Sequence, residues 1–140
     1  MKKILAYILP IICVFLLFSC DKEQKLYEGT TQIAFENATQ SYNITSATTS
    51  ISLQIQLIST KPQAAITATV AVNSESTCAN AVTVPTSATI DAGRFLTNLT
   101  INVDHSKLAA SSNRLILDLS ATGIKVAENY DKVTITLNKL

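Results

Sequence analysis

The sequence predicts an all-β protein, an immunoglobulin-like sandwich of about seven or eight antiparallel strands. Apolar and polar residues alternate in segment after segment from residue 30 onward, which is the period-two pattern of a strand that buries one face. Thr, Ser, Ile, Val and Ala dominate this region, and the β-branched residues among them favour strands. No window shows a convincing helical period, so a helical or mixed domain is not predicted.

Six segments carry the clearest alternation, and each has a predicted inward face. In chain order the inward residues are Ile33 and Phe35; Ile51, Leu53, Ile55 and Leu57; Ile66, Ala68, Val70 and Val72; Phe95, Leu99, Ile101 and Val103; Leu115, Leu117 and Leu119; and Val133, Ile135 and Leu137. Shorter candidate strands lie in 80–85 and 87–92. Because a single sheet cannot bury so many apolar faces, we expect two sheets packed together.

Turn residues separate these strands. The segments "TKPQ" (60–63), "NSES" (73–76) and "DAGR" (91–94) contain the Gly, Pro, Asn, Asp and Ser residues that turns prefer. Gly93 can adopt positive φ, so the sequence predicts that 91–94 is a β-hairpin joining two strands. Longer loops are expected at 105–113 and 121–131.

The first twenty residues have the layout of an export signal. Lys2 and Lys3 precede an apolar run from Ile4 to Phe18, as in a secretory signal peptide. The run has about 15 residues, fewer than the roughly 20 of a membrane-spanning helix. A permanent membrane-spanning anchor is therefore the less favoured alternative.

The run ends in Leu17-Phe18-Ser19-Cys20, which resembles the lipobox of bacterial lipoproteins, although Phe18 stands where a small residue is more common. The resemblance implies cleavage before Cys20 and attachment of diacylglycerol, commonly palmitate-derived, to its thiol. We therefore predict a lipoprotein signal peptide at 1–19, a lipidated flexible tether at 20–29 and a β-sandwich domain at 30–140. Several acyl chains together make a durable membrane anchor.

Composition excludes several classes of function. Without Lys2 and Lys3 the chain has nine basic and ten acidic residues, so nucleic acid is not an expected partner. Cys13 leaves with the signal peptide and Cys20 carries lipid, which leaves Cys78 without a disulfide partner. We expect Cys78 to be a small buried apolar residue, because "SESTCAN" offers no cation to activate a thiol.

The central "VTVPTSATIDAGRFLTNLTINVD", followed by "RLILDLSATG" and "KVTITL", resembles the Calx-beta-like and related immunoglobulin-like domains of Bacteroidota cell-envelope lipoproteins. The resemblance implies a domain of unknown function, since many such domains have no known activity. Calx-beta domains often bind calcium through clustered acids. Here the acids are scattered singly, without a D-x-D pair, so calcium binding is not expected. They are Glu28, Glu36, Glu75, Asp91, Asp104, Asp118, Glu128 and Asp131.

Catalytic and zinc sites are also not expected. Asp104, His105 and Ser106 are the residue types of a hydrolase triad, but three successive residues point in different directions and do not form the relay. His105 is the sole histidine, and together with Cys78 it supplies too few ligands for zinc. The sequence therefore predicts a protein that is not an enzyme and has no cofactor.

Support for glycan binding is thin, because such sites need exposed aromatic platforms with polar neighbours. Phe35 and Phe95 are predicted to be core residues, Tyr27 lies in the tether, and Tyr42 and Tyr130 remain as surface candidates. Three N-x-[ST] sequons match the glycosylation pattern, but we interpret them as outward strand faces. They begin at Asn37, Asn43 and Asn98.

We therefore predict a non-enzymatic envelope lipoprotein that acts as a protein-contact, adhesion or accessory module, with a small-ligand, most plausibly glycan-binding, module as the alternative. Asp21 directly after the lipid cysteine resembles an inner-membrane retention signal of enterobacteria. The charged stretch that contains Asp21 and Glu23 also resembles a surface-export signal of Bacteroidota lipoproteins. The second resemblance agrees with the rest of the chain and implies an outer-membrane protein facing outward, with the periplasmic face as the alternative.

Overall fold

Two β-sheets pack face to face in the part of the chain that the computed structural model describes, residues 29–59, 62–110 and 112–140. In chain order the strands are β1 (Gln32–Phe35), β2 (Thr39–Ile44), β3 (Ser50–Ile58), β4 (Ile66–Val72), β5 (Val82–Thr83), β6 (Ser87–Ile90), β7 (Leu96–Val103), β8 (Asn113–Ala121), β9 (Lys125–Val126) and β10 (Lys132–Lys139). Short 3₁₀ helices lie at Ala79–Ala81 and His105–Lys107. No helix among the described residues has the length and apolar character needed to cross a membrane.

Each sheet has five strands. The first sheet has the order β5-β7-β3-β1-β9, and the second has the order β2-β10-β8-β4-β6. The predicted all-β sandwich is confirmed. The eight predicted strands correspond to β1, β3 to β8 and β10, and the described residues form two further strands, β2 and β9.

The alternating apolar residues form the core between the sheets. Every predicted inward residue of β1, β3, β8 and β10 is buried, and so are Leu99, Ile101 and Val103 of β7. Phe95 and Val72, however, are 42% and 39% exposed, so their assignment to the core is wrong. Phe95 precedes the first residue of β7 and Val72 is the last residue of β4. Alternation predicts which face of the strand a side chain lies on, but a side chain at the end of a strand lies at the rim of the core, where it is partly exposed.

The segment 91–94 is not a hairpin. Strand β6 pairs with β4 in the second sheet, whereas β7 pairs with β3 and β5 in the first sheet. The turn therefore crosses from one sheet to the other, and its residues cover the ~10 Å between packed sheets instead of joining two neighbours. Gly93 does adopt the predicted positive φ, 76°, and its N–H donates to the Pro62 carbonyl at 2.9 Å.

The sequence did not predict β2 and β9, and these two strands account for the parallel pairs in a sandwich expected to be antiparallel. Strand β2 pairs parallel with β10, and β9 pairs parallel with β1. The chain crosses between the sheets at 36–38, directly after β1. Because β2 is an edge strand, its inward face carries Gln40 and Tyr42 and shows little apolar alternation.

Asn113 is the buried polar side chain of the described core, 3% exposed. Its Nδ2 donates to the Leu137 carbonyl at 3.2 Å and to the Ala109 carbonyl at 3.3 Å. Its Oδ1 accepts from the Ala109 N–H at 2.9 Å. Because buried amide groups are costly without partners, these bonds hold the segment after the second 3₁₀ helix against β8 and β10.

We predict that Leu53→Asp and Ile101→Asp each unfold the domain. Leu53 is 1% exposed and Ile101 is fully buried, and an unpaired buried carboxylate costs several kcal/mol out of a total stability of about 5–15 kcal/mol. Ser52→Asp is the matched control, since Ser52 neighbours Leu53 but is exposed. Thermal melts followed by circular dichroism measure the effect. A control as damaging as the two core variants would contradict the facing of β3.

Candidate functional site

A cleft lies at the end of the sandwich where β7 finishes. Its volume is ≈ 410 Å³, and its lining residues are Ser46, Thr48 and Thr49 of the β2–β3 turn, with Val103, Asp104, His105 and Ser106. A smaller cavity of ≈ 180 Å³ shares Val103 and Asp104 and extends to residues 80–83. We call this region the distal cleft.

Asp104 caps the 3₁₀ helix that follows β7. Its Oδ1 accepts hydrogen bonds from the Ser106 N–H at 3.1 Å and from the Ser106 hydroxyl at 2.6 Å. Its Oδ2 lies 3.1 Å from the Lys107 ammonium nitrogen. The hydrogen bond from the Ser106 side chain, followed by that from Lys107, holds the pKa of the Asp104 carboxyl below its usual value. This carboxylate is therefore ionised and already has local partners.

The residues of the triad-like motif are not arranged as a relay. Asp104 bonds directly to Ser106, so His105 does not stand between the acid and the hydroxyl, as a triad requires. The His105 Nε2 instead lies 3.0 Å from the Leu140 carbonyl oxygen. In the part of the chain that the structure describes, no three His, Cys, Asp or Glu side chains come together in a group that could hold a metal ion.

Tyr42, a predicted surface aromatic, is only partly exposed, because its side chain packs against the core and its hydroxyl bonds across to the other sheet. On the edge of β3 that faces β1, the last main-chain hydrogen bond runs from the Glu36 N–H to the Gln54 carbonyl at 3.0 Å. The Tyr42 hydroxyl then donates to the next outward carbonyl, that of Ser52, at 2.8 Å, and also contacts the Gln40 side chain. Tyr42 is half-buried against the core, and burial raises the pKa of its phenol.

Phe95 and Tyr130 are the exposed aromatic residues of the described chain, 42% and 43% exposed. Neither lines the distal cleft. The distal cleft therefore has polar groups without an aromatic platform. Sequence reasoning placed Tyr130 correctly at the surface but missed Phe95, whose position in the period-two pattern is that of an inward residue.

Strand β7 leaves most of one edge without a partner strand in the described structure. The main-chain groups of its odd-numbered residues point toward β3; for example, the Val103 N–H donates to the Thr49 carbonyl. The main-chain groups at even-numbered positions point to the opposite side; for example, the Asp104 N–H donates to the Ala81 carbonyl. On that other side β5 pairs with Asn102 and Val103 alone. The main-chain groups of Leu96, Asn98 and Thr100 therefore point outward at an open edge. We call the stretch 96–101 the open β7 edge.

The remaining predicted site residues are dispersed. Cys78 is 2% exposed and free, and burial raises the pKa of its thiol, in agreement with the predicted unreactive apolar role. Asn43 and Asn98 are exposed on strands, whereas Asn37 lies in the crossing between β1 and β2. Cys20 and Tyr27 lie outside the described residues, so the predicted lipidation stays a prediction.

No family model and no curated protein sequence matches the chain. The solved structures that are similar to it include the following three. The apo form of the Calx CBD1 domain has a TM-score of 0.62 and 11% identity over 80% of this chain and 99% of its own. A Bacteroides ovatus protein with a suggested carbohydrate-binding role has a TM-score of 0.59 and 13% identity over 77% of this chain, which spans 37% of that protein's length. A Bacteroides ovatus protein of unknown function has a TM-score of 0.61 and 12% identity over 76% of this chain and 44% of its own. The chain thus has a Calx-beta-like β-sandwich fold.

Proposed function

We propose that this chain is a lipid-anchored, non-enzymatic contact module of a bacterial cell envelope that binds a protein partner along the open β7 edge. The observation that carries the proposal is the unpaired main chain of Leu96, Asn98 and Thr100. Such an edge forms main-chain hydrogen bonds with an added strand. Natural sheets usually protect long edges with charges, prolines or bulges, and β7 contains no charged residue and no proline.

The outer edge of β2 is the competing surface, and its side chains make it the weaker candidate. The exposed positions of β2 are Thr39, Ser41 and Asn43, all polar. Two of them are engaged by Asn138, whose Nδ2 donates to the Ser41 hydroxyl and to the Asn43 side-chain oxygen at 3.2 and 3.3 Å. The open β7 edge instead presents Leu96, 51% exposed, an apolar contact that a partner side chain can cover.

The envelope location is proposed from the sequence. The motif Leu17 to Cys20 supplies the anchor, and the charged stretch with Asp21 and Glu23 supplies the expected export signal. We propose that the domain faces outward from the outer membrane.

The anchor is tested by metabolic labelling with palmitate in a bacterium that processes lipoproteins. We expect label on the wild-type chain and on Cys78→Ala, since Cys78 is buried in the domain, and none on Cys20→Ala. Gel fluorography with an alkyne-tagged palmitate measures the incorporation. Equal labelling of Cys20→Ala and the wild type would exclude the anchor.

The open β7 edge is tested by introducing proline at Asn98. The Asn98 N–H points away from β3, so Asn98→Pro removes an outward donor and blocks an added strand while the internal ladder is kept. We expect binding of the partner that copurifies with the wild type from detergent-solubilised envelope to fall about tenfold or more, the equivalent of one lost hydrogen bond. Quantitative pull-down measures this.

Thr39→Pro is the matched control, because Thr39 opens the edge strand of the other sheet. Circular dichroism establishes that both variants are folded. If Asn98→Pro binds the partner as well as the wild type does, or if Thr39→Pro alone loses binding, the contact does not lie at the open β7 edge.

Glycan binding is the second candidate, favoured by the hydroxyl groups that line the distal cleft. Ser46, Thr48 and Thr49, with Asp104 and His105, line a volume of ≈ 410 Å³. Against it, the cleft has no aromatic platform, and its carboxylate is occupied by Ser106 and Lys107. We expect no specific signal from the domain on a glycan array. A signal that Ser46→Ala with Thr48→Ala abolishes, while Asn98→Pro keeps it, would favour the glycan module instead.

A further inference from the structure

The end of the sandwich opposite the distal cleft carries an exposed basic–aromatic–aliphatic sequence. Arg94 is exposed, Phe95 is 42% exposed and Leu96 is 51% exposed. These three consecutive residues lie where the chain crosses from β6 into β7. We call them the Phe95 tip. Neither the core nor any described partner covers these two large apolar side chains fully.

The Phe95 tip lies at the end of the sheet where the chain enters the domain. The Phe95 carbonyl accepts from the Leu57 N–H at 2.8 Å. On the opposite side of β3, the hydroxyls of Thr31 and Ser59 are 3.0 Å apart. One strand, β3, therefore separates the beginning of β1 from the Phe95 tip, and two strand spacings amount to about 10 Å.

The predicted tether is short compared with the domain. It is predicted to have ten residues, Cys20 to Gly29, and a flexible chain of that length has a root-mean-square span of about 16–19 Å. The longest strands have nine residues, or about 30 Å. Because Gly29 leads into β1 beside the Phe95 tip, a lipid on Cys20 would keep the tip within the reach of the tether from the bilayer. A tethered contact of this kind has a high effective concentration.

We propose that Arg94 and Phe95 contact the bilayer surface and orient the sandwich with its strands standing on the membrane. This inference rests on the proposed anchor at Cys20. Aromatic side chains partition to the membrane interface. The arginine stem lies along apolar surface while its guanidinium reaches headgroup phosphates. Lipid is thus the occupant of the surface formed by Arg94 and Phe95, whereas Leu96 belongs to the open β7 edge, which is left to a protein partner.

The chain has no tryptophan, so the fluorescence of one introduced tryptophan reports the surroundings of that position alone. Lipidated full-length Phe95→Trp is reconstituted in vesicles of phosphatidylethanolamine and phosphatidylglycerol, with and without brominated acyl chains. The matched control is Ala47→Trp, because Ala47 is exposed in the turn at the distal cleft. We expect blue-shifted emission and bromine quenching for the tryptophan at position 95, and neither for the tryptophan at position 47.

Unquenched emission at position 95, equal quenching at both positions, or a blue shift that appears only when envelope proteins are added would overturn the inference. Flotation of the vesicles separates it from the proposed function. If the wild type floats with the vesicles and the tryptophan at position 95 is not quenched, the anchor stands and the docking fails. If the wild type does not float, the anchor fails and the docking inference fails with it.

Discussion

Burial of apolar faces between the two sheets is the constraint on which the rest of the structure depends. Neither sheet is stable with such a face in water, so each strand has to present its apolar side to the opposite sheet. Strands β3 and β8 show this most fully, since they lie inside their sheets and bury every predicted inward side chain. Polar residues then occupy outward positions, where their exposure costs nothing.

The rims of this core need a different kind of interaction, because main-chain groups at the ends of the ladders lose their strand partners. Tyr42 supplies one solution, a phenol that reaches across from the second sheet to the Ser52 carbonyl of the first. Asn113 supplies another, a buried amide that bonds to Ala109 and Leu137. Both side chains replace missing ladder bonds, since a buried polar group without a partner costs about 1–3 kcal/mol.

The period-two pattern was sufficient to predict the fold class and the inward faces of β1, β3, β8 and β10. Burial of one face depends on the alternation of residues within the strand itself. The pattern was insufficient wherever the outcome depends on distant neighbours. The segment 91–94 looks like a hairpin locally, but the pairing of β6 with β4 decides that it crosses between sheets. Strand β2 was not predicted for the same reason, because it pairs in parallel with β10, which lies some ninety residues away in the chain.

The candidate site follows the same rule. The triad-like motif could be dismissed from sequence, because successive residues cannot form a relay, and the hydrogen bond from Ser106 to Asp104 agrees. The open β7 edge could not be predicted, since an edge is defined by which strands fail to pair. The exposure of Phe95 could not be predicted either. Phe95 has the parity of an inward residue, but it precedes the first residue of β7 and therefore lies beyond the core.

The two proposed surfaces constrain each other. Strand β5 covers the end of β7 at Asn102 and Val103, which lies toward the distal cleft, whereas the open stretch begins at Leu96 in the Phe95 tip. If the tip rests on the bilayer, the open β7 edge begins at the membrane and rises away from it. A partner strand that pairs along its whole length must then also reach the bilayer surface. Such geometry favours a partner that is itself anchored in the same membrane, because a shared surface raises the effective concentration of the two chains.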